Sequence, residues 1–434
     1  MSFFLFLHAS VCNNRRMNEF EVSKIILLKL VNNEMPFTIA LKSTFKKVNV
    51  SSLERSNITA LVGCELRHHY LFDNLIERYL DVQEFEKTVY LRFALANQLF
   101  LKRFDGAKIL ALAEQDLDKD KIKALFDFVK STDQIIPNEL DKASPEFLAL
   151  RYNTPAWVIR MWQKQYGKGA IFKTLKVNYR PSVPSLRINE KKINRDEFLA
   201  KHPDYSASPI DNMIIYQGRN SPKQLEEYDT YDIFFMKMAT KYVLDNLELD
   251  PLKGIGVFSE VPNNIYLDLL TRFGSTLKLD YVINHSSCFI ETKRNLEKMG
   301  NPPHVFLYES NASGLIACLS NKVHTFIAMP KSTTFDLLRS TPDYFLRIKQ
   351  SQLDEIIALE TAALEESSKF VEKGGELVYM VPTLNRKESN NIIANFLVNH
   401  KEYQLEEERQ FFPFEVYDSC LYFARMKKVE EESD

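Results

Sequence analysis

The sequence predicts an α/β protein with an all-α domain at its amino terminus. Apolar residues recur at helical spacing from about residue 18 to residue 145, and no β-alternation interrupts them. A strongly basic segment follows at residues 151–195. From about residue 250 onward, short apolar runs alternate with helical stretches, which is typical of a doubly wound sheet.

Length and composition limit the classes of protein that fit. A chain of 434 residues favours two or three domains, and 45% hydrophobic with 26% charged residues excludes a disordered or fibrous protein. No run of eighteen apolar residues is present, so no membrane span is expected. The net charge is −2, so affinity for nucleic acid must come from a local patch. Only 12 glycines are available for phosphate or cofactor loops, which usually need them.

The cysteines predict a reducing compartment, the cytoplasm. The chain has five of them, an odd number that forms no Cys-x-x-Cys pair, so neither a disulfide framework nor a zinc site is expected. At the amino terminus, Arg15 and Arg16 follow the apolar run instead of preceding it, which is the wrong order for a secretory signal. We therefore expect residues 1–17 to be a disordered extension, and residues 429–434 to be an acidic tail.

Residues 18–145 are predicted to form the helical domain. Ser51 or Ser52 is a plausible N-cap for a long helix. The adjacent His68 and His69 have no other metal-ligand types nearby, so we expect a solvated or capping role and no metal site. Two helical faces are predicted to be buried, one formed by Val22, Ile25, Ile26 and Leu30, the other by Val89, Phe93, Ala96 and Phe100.

The basic segment at residues 151–195 suits a phosphate backbone. It contains eleven Lys or Arg residues and a single acid, Glu190, and both tryptophans, Trp157 and Trp162, lie within it. Basic residues interleaved with aromatic ones can bind phosphates and stack on bases. The alternative interpretation of this segment is a solvated linker whose tryptophans are buried.

The alternating region predicts six buried parallel strands and four helices. Since ligands bind at the carboxyl ends of such strands, the residues after each strand decide the chemistry. The predicted strands are 254–258, 279–283, 305–308, 324–328, 376–380 and 421–425, and the helices are about 264–273, 285–299, 350–371 and 387–400.

The predicted strand ends lack the residues that catalysis or cofactor binding would require. The loop after residues 254–258, SEVPNNIY, has no glycine to bring the backbone close to a cofactor. Asn284 follows the next strand, where a ribose-binding domain often places an acid. MPKSTT and VPTLNRKES follow two later strands, and neither begins with a nucleophile beside a base.

Five segments together resemble the RsmB/Sun-type RNA cytosine-C5 methyltransferases over about residues 18–428. The resemblance implies a NusB-like helical domain at 18–145, a small basic RNA-binding linker subdomain at 146–235, and a Rossmann-like class I methyltransferase domain that binds S-adenosylmethionine at 236–428. The segments are RYNTPAWVIRMWQKQYG, VPSLRIN, YQGRNSPKQLEEY, FVEKGGELVYMVPTLNRKESNNIIANFLVNHKEYQL and FFPFEVYDSCLYFARMKK.

The positions at which that family carries its chemistry hold other residues here. Lys331 and Pro382 occupy the two cysteine positions, and Ala328 replaces the acid that binds the base. Met236-Lys237 stands where the family has Gln-Asp. The resemblance therefore implies that no catalytic residue is retained and that S-adenosylmethionine binding is lost or weakened. The family's cofactor positions correspond to Ser259, Pro262, Asn263, Asn264 and Asn284, of which only Pro262 is retained.

Three hypotheses follow, and the oligomeric state stays open in each. The first is a non-catalytic RNA-binding protein with small-subunit rRNA or a ribosome precursor as its partner. The second is an active methyltransferase in which Cys288 or Cys318 reaches the site, and the third is a NusB-like interaction module in rRNA transcription. The residues expected to bind RNA are Arg151, Arg160, Lys164, Lys168, Arg180, Arg187, Lys191, Lys192, Arg195 and Arg219.

Overall fold

The computed structural model describes residues 17–82, 84–180, 182–218, 220–417 and 419–429. Residues 1–16 of the expected extension, residues 430–434 of the expected acidic tail, and Arg219 lie outside that range. The chain forms two compact units, one running up to Arg160 and including Thr341–Arg347, the other comprising Met161–Ser340 with the chain from Ile348 onward. The three-domain boundaries drawn from the sequence stay a prediction. No helix in the described residues is long and apolar enough to cross a bilayer.

The first unit is helical, as the sequence predicted. Ser51 caps the third helix, and its side chain and that of Glu54 bond reciprocally to the backbone. The helices of this part of the chain are α1 (Glu19–Asn33), α2 (Phe37–Phe45), α3 (Ser52–Arg67), α4 (His69–Tyr79), α5 (Phe85–Ala96), α6 (Gly106–Ala113), α7 (Lys119–Ser131), α8 (Pro145–Tyr152) and α9 (Ala156–Tyr166), the last of which continues into the second unit.

Two sequence expectations for this unit are wrong. Phe100 is 39% exposed, because a π-helical turn at Asn97–Leu101 adds a residue to the turn and rotates the helix face. His68 and His69 are buried, so a solvated role is wrong, whereas His68 does occupy a cap position, at the end of α3 and the start of α4. His68 stacks on Phe100, and His69 Nδ1 lies 2.8 Å from a carboxylate oxygen of buried Glu65. The two histidines are thus structural groups of the helical core.

The second unit begins with a small antiparallel sheet that the sequence did not reveal. Its strands span only three or four residues, too few to display a clear alternation of apolar and polar side chains. The strand order is β2-β3-β1-β4. The elements are α10 (Lys168–Asn178), β1 (Ser185–Ile188), α11 (Arg195–Lys201), β2 (Tyr205–Ala207), β3 (Met213–Tyr216), α12 (Glu226–Asp229) and β4 (Ile233–Phe235).

A seven-stranded sheet of order β10-β11-β9-β8-β5-β6-β7 completes the second unit. Helices pack on both of its faces, so the doubly wound prediction is confirmed. The elements are α13 (Met238–Asp245), β5 (Ile255–Ser259), α14 (Ile265–Phe273), β6 (Leu279–Ile283), α15 (Ser286–Lys298), β7 (Val305–Glu309), α16 (Leu315–Cys318), β8 (Val323–Met329), α17 (Tyr344–Arg347, in the first unit), α18 (Leu353–Ser368), β9 (Val371–Val381), α19 (Asn390–Asn399), β10 (Tyr403–Phe411) and β11 (Leu421–Lys428).

At one edge of this sheet, the strands differ from the sequence prediction in number and direction. β11 was predicted to be parallel, but it pairs antiparallel with both β9 and β10. β10 was missed, because four consecutive charged residues, Glu406–Arg409, conceal its apolar positions. A charged edge strand protects a sheet against pairing with other chains, which accounts for this composition.

A buried ion pair joins the small sheet to the large one. Arg187 on β1 is 1% exposed, and its Nε donates to Oδ1 of Asp268 on α14 over 2.5 Å. Asp268 is itself fully buried. Arg187 also donates to both carboxylate oxygens of Glu190, at 2.5 and 3.1 Å. This burial is incompatible with the expected RNA contact, and we withdraw Arg187 from that set.

Replacing Arg187 with methionine should lower the free energy of unfolding of the second unit by about 3 kcal/mol, because Asp268 would lose its hydrogen-bonded cation and keep only Arg272, 3.7 Å away. Urea denaturation measures the change. The double variant Arg187→Met/Asp268→Leu should recover part of the loss, since it removes both charges. Lys201→Met, at an exposed position on α11, is the control and should stay within about 0.5 kcal/mol of the parent. An Arg187→Met variant as stable as this control would contradict the role of the ion pair.

Candidate functional site

The candidate site is a cavity of about 480 Å³ in the second unit. The strand order reverses at β5, whose two neighbours are β6 and β8, and a crevice forms at the carboxyl ends of such strands. Val261–Asn264 after β5, Met329 at the end of β8, and Pro382 after β9 line the cavity. The small sheet contributes Ser185 and Phe235 to its wall. Of the family's cofactor positions, Pro262, Asn263 and Asn264 line the cavity, whereas Ser259 and Asn284 do not.

Asn263, in the loop after β5, makes its hydrogen bonds to the loop itself and to the neighbouring strand β6. Asn263 Nδ2 donates to Ser259 Oγ over 2.7 Å and to the Val261 carbonyl over 3.0 Å. Asn263 Oδ1 accepts from the amide of Ile265 at 3.0 Å and from the hydroxyl of buried Tyr281 at 2.9 Å. Two donors and two acceptors exhaust the hydrogen-bonding capacity of an amide side chain. Asn263 has no further hydrogen bond to give a ligand in this conformation.

Glu260 connects three strand ends across the crevice. One carboxylate oxygen accepts from Asn284 Nδ2 after β6, and the other accepts from the backbone amide of Lys331 after β8, at 2.9 Å. The sequence analysis did not single out Glu260. The signal was present in the resemblance, since this carboxylate falls where the family's cofactor loop has a small alanine.

The two positions that hold cysteines in the resembled family differ in their surroundings. Pro382 is buried and lines the cavity, whereas the Lys331 side chain is exposed and is not part of the cavity wall. Ala328 is fully buried within β8. None of these three residues can attack a pyrimidine ring through a thiolate, which is the chemistry of the family.

Two cysteines do line the cavity, Cys288 on α15 and Cys420 just before β11. Burial raises the pKa of the Cys288 thiol above its ordinary value, which disfavours the nucleophilic thiolate. Cys318, the other cysteine suggested from the sequence, is not part of the cavity wall. Cys420 was not suggested, because nothing in its sequence neighbourhood marks it as reactive.

An acidic and a basic side chain face each other in the cavity. Lys237 Nζ lies 3.8 Å from a carboxylate oxygen of Asp336. Burial raises the pKa of Asp336 to about 6, and the positive charge of Lys237 opposes that rise. Lys237 aligns with an acid of the resembled family. The cavity therefore carries a positive charge where that family would have a negative one.

A buried carboxylate network lies behind the cavity and holds the loops after β8 and β9 together. Glu388 accepts from the amide of Thr333 at 2.8 Å and from Asn385 Nδ2 at 2.9 Å. The hydroxyls of Thr333 and Thr383 both lie 3.0 Å from Glu388 Oε1. These loops contain Lys331 and Pro382, so Glu388 fixes the backbone at both of the family's cysteine positions. Sequence reasoning missed this network.

Glu360 on α18 is a second buried carboxyl whose pKa the charge of Glu388 affects, and neither of its oxygens has a hydrogen-bond partner among the described residues. It is fully buried, and burial followed by the charge of Glu388 raises its pKa well above the ordinary value. Glu260 adds a smaller contribution of the same sign. Burial also raises the pKa of Glu388, but the hydrogen bonds from Thr333 and Asn385 favour its charged form. The neutral form is therefore favoured more strongly at Glu360 than at Glu388.

Most of the residues expected to bind RNA are on the surface. Arg195 is half-buried, Arg187 is buried and Arg219 is outside the described residues. Trp162 is fully buried against Phe335, so it belongs to the core and cannot stack on a base. In the described residues, no cluster of three metal-ligating side chains is present. The exposed members of the set are Arg151, Arg160, Lys164, Lys168, Arg180, Lys191 and Lys192.

Comparison with known proteins supports the resemblance, although no family model matches the chain. This chain is 22% identical over 401 residues to the probable ribosomal RNA small subunit methyltransferase B of Bacillus subtilis. The match covers 87% of this chain and 88% of the relative. Ribosomal RNA small subunit methyltransferase B of Thermus thermophilus is 32% identical over 75 residues, which cover 17% of this chain and 19% of the relative.

Solved structures share the fold. The crystal structure of PH0851 matches 96% of this chain and 100% of its own, with a TM-score of 0.72 and 16% identity. NSun6 from Pyrococcus horikoshii with SFG matches 63% of this chain and 98% of its own, with a TM-score of 0.54 and 14% identity. The predicted fold class and the resemblance to RsmB/Sun-type rRNA methyltransferases are confirmed.

Replacing Glu360 with glutamine should stabilise the protein relative to the parent, and the gain should grow as the pH rises from 5 to 8. The unfolded parent loses the Glu360 proton near the ordinary pKa of a glutamate, while the folded parent retains it. The parent's free energy of unfolding therefore falls with rising pH, and a glutamine removes this contribution. Denaturant unfolding of both proteins at pH 5, 6.5 and 8 measures the difference.

Glu355 is exposed on the same helix and provides the matched control. The Glu355→Gln variant should differ from the parent by the same small amount at every pH. A pH-independent difference between Glu360→Gln and the parent would show that Glu360 is ionised in the folded protein.

Proposed function

We propose that this chain is an RNA-binding protein built on an rRNA methyltransferase fold, and that it does not methylate cytosine. The observation that carries this proposal is the Glu260 carboxylate, which accepts hydrogen bonds from Asn284 and from the Lys331 amide and so links the ends of β5, β6 and β8. Those positions would face an adenosyl cofactor and a cytosine in the resembled family. Here they are bound to each other.

The residues of the loop after β5 do not fit S-adenosylmethionine. Asn263 makes its four hydrogen bonds within the protein, and Asn264 Nδ2 donates to the carbonyl of Phe235 over 2.8 Å. Asn284, at the position of the ribose-binding acid, is engaged by Glu260. A cofactor ribose at this position would have to displace the Asn284 amide from the Glu260 carboxylate. We therefore derive no reaction step through this cofactor.

The surface around the basic segment supports RNA as the ligand. Between Glu146 and Glu190 the sequence has no acidic residue, and most of the basic side chains in that stretch are exposed. Exposed cations whose own segment contains no acid attract phosphates over a distance of about a Debye length. Two relatives are named ribosomal RNA small subunit methyltransferases. We propose small-subunit rRNA or a ribosome precursor as the partner of this chain, and the cytoplasm, which the unpaired cysteines favour, as its compartment. The helical first unit then acts as a NusB-like domain.

A second candidate function is methyl transfer with a displaced nucleophile. Cys420 and Cys288 both line the cavity, and a thiolate there could attack a pyrimidine. Incubation of the protein with labelled S-adenosylmethionine and small-subunit rRNA distinguishes the candidates. Methylation that Cys420→Ser or Cys288→Ser abolishes would favour this second function over the first.

Calorimetric titration of the purified protein with S-adenosylmethionine should give no binding heat at millimolar concentrations of the cofactor. The Bacillus subtilis relative, titrated in the same way, is the positive control. A dissociation constant near 1 μM, about −8 kcal/mol, would contradict the proposal, because it would show that the loop after β5 can still open for the cofactor.

Filter binding to small-subunit rRNA should show affinity that falls steeply with salt. Replacing Lys164 and Lys168 with glutamine should weaken binding and reduce the slope of log affinity against log salt by about 0.7 for each phosphate that the variant no longer neutralises. Lys121→Gln/Lys123→Gln, two exposed positions on α7, is the matched control and should leave the slope unchanged. Absence of affinity at moderate salt would exclude RNA binding. Affinity that does not depend on salt would exclude binding through the phosphates.

A further inference from the structure

We propose that the outer face of α10, together with the Phe412–Phe414 loop, is a stacking platform for unpaired RNA bases. This inference rests on the proposed RNA-binding function and specifies the form of RNA that the protein prefers. It also identifies an aromatic anchor, Phe172, which the sequence analysis did not consider. We use the name stacking platform for Tyr166, Phe172, Phe412, Phe414 and the cations that contact them.

The α10 side of the platform is an exposed aromatic ring among lysines. Phe172 is 41% exposed, and Lys176 Nζ lies 4.3 Å from the centre of its ring. Lys168, Phe172 and Lys176 are four residues apart, so they share one helix face, while Ile171 and Leu175 pack inward. An apolar ring of this size kept at the surface among cations is typical of a site for a ligand with both a π-face and negative charge.

The loop side repeats this combination of ring and cation. The rings of Phe412 and Phe414 stack with their centres 5.2 Å apart, and Lys173 Nζ of α10 lies 5.6 Å from the Phe414 ring. Tyr166 packs edge-on against Phe412 at 5.3 Å. The guanidinium of exposed Arg386 lies 5.3 Å from the Tyr166 ring. The basic charges of the platform thus lie directly beside its rings.

Charge and shape favour single-stranded RNA over other occupants. The sequence has no carboxylate from residue 147 to residue 189, so nothing on α10 opposes an incoming phosphate. In unpaired RNA, each base offers a π-face beside a negatively charged backbone, whereas a duplex conceals its base faces. Stacking on one ring and pairing with the adjacent lysine can then occur for the same nucleotide.

The experiment compares one RNA sequence in single-stranded and duplex form, using fluorescence anisotropy and the full-length protein. Phe172→Ala should weaken single-strand binding by about 5- to 150-fold, the usual effect of removing one stacked ring. Its salt slope should equal that of the parent, because stacking releases no counterions. Duplex binding should be unchanged. Lys176→Gln should instead reduce the salt slope.

Two further variants separate stacking from folding. Phe172→Tyr keeps a ring and should bind single strands like the parent. Phe306, 52% exposed on the edge strand β7, provides the control, and Phe306→Ala should leave RNA affinity unchanged. Circular dichroism and thermal unfolding identify any loss of structure. If Phe172→Ala proves unstable, a weakened Phe172→Tyr would by itself overturn the platform.

The outcomes separate this inference from the proposed function. If the parent binds RNA but Phe172→Ala binds single strands equally well, the platform is wrong and RNA binding stands. Equal losses for single strand and duplex would also overturn it. If the parent binds no RNA, the proposed function fails as well. Binding of anionic lipid vesicles that requires Phe172, without RNA binding, would assign the surface to a membrane instead.

Discussion

The reversal of strand order at β5 is the constraint on which the functional part of this protein depends. β6 and β8 are parallel to β5 and flank it on its two sides, so the loops after the three strands begin side by side at the same edge of the sheet. Glu260, Asn284 and Lys331 therefore meet although they follow three different strands. Any ligand of this fold would enter the same crevice. What occupies the crevice decides whether the fold can act as an enzyme.

The scaffold around the crevice is held by buried charges rather than by the groups that perform chemistry. Arg187 and Asp268 fix the small sheet against α14, and Glu388 fixes the loops after β8 and β9. A buried charge is tolerated only when hydrogen bonds satisfy it, so these networks constrain the backbone strongly. The protein thus keeps well-defined loops at both of the family's cysteine positions.

Rings and cations recur together on the second unit. Lys173, Lys176 and Arg386 each lie over an aromatic ring, and the chain from residue 147 to residue 189 carries no acid to neutralise them. The tryptophans of the basic segment first suggested base stacking, but Trp162 is buried. In our proposal the exposed Phe172 of α10 takes that role.

The sequence by itself determined the helical amino-terminal region, the alternating strands and helices, and the absence of a cysteine at the strand ends. Hydrophobic periodicity is a local property, so elements such as LDYVI were predicted at their observed bounds. Strands β1–β4 are too short to show hydrophobic periodicity, and the charged residues of β10 conceal it. These five strands were therefore not predicted. Only the tertiary structure decided which polar groups meet. Asn284 and Glu260 are 24 residues apart, Lys331 and Glu260 are 71 apart, and Arg187 and Asp268 are 81 apart. No local pattern encodes such pairs, because their energy comes from burial and from partners that the folded sheet brings together.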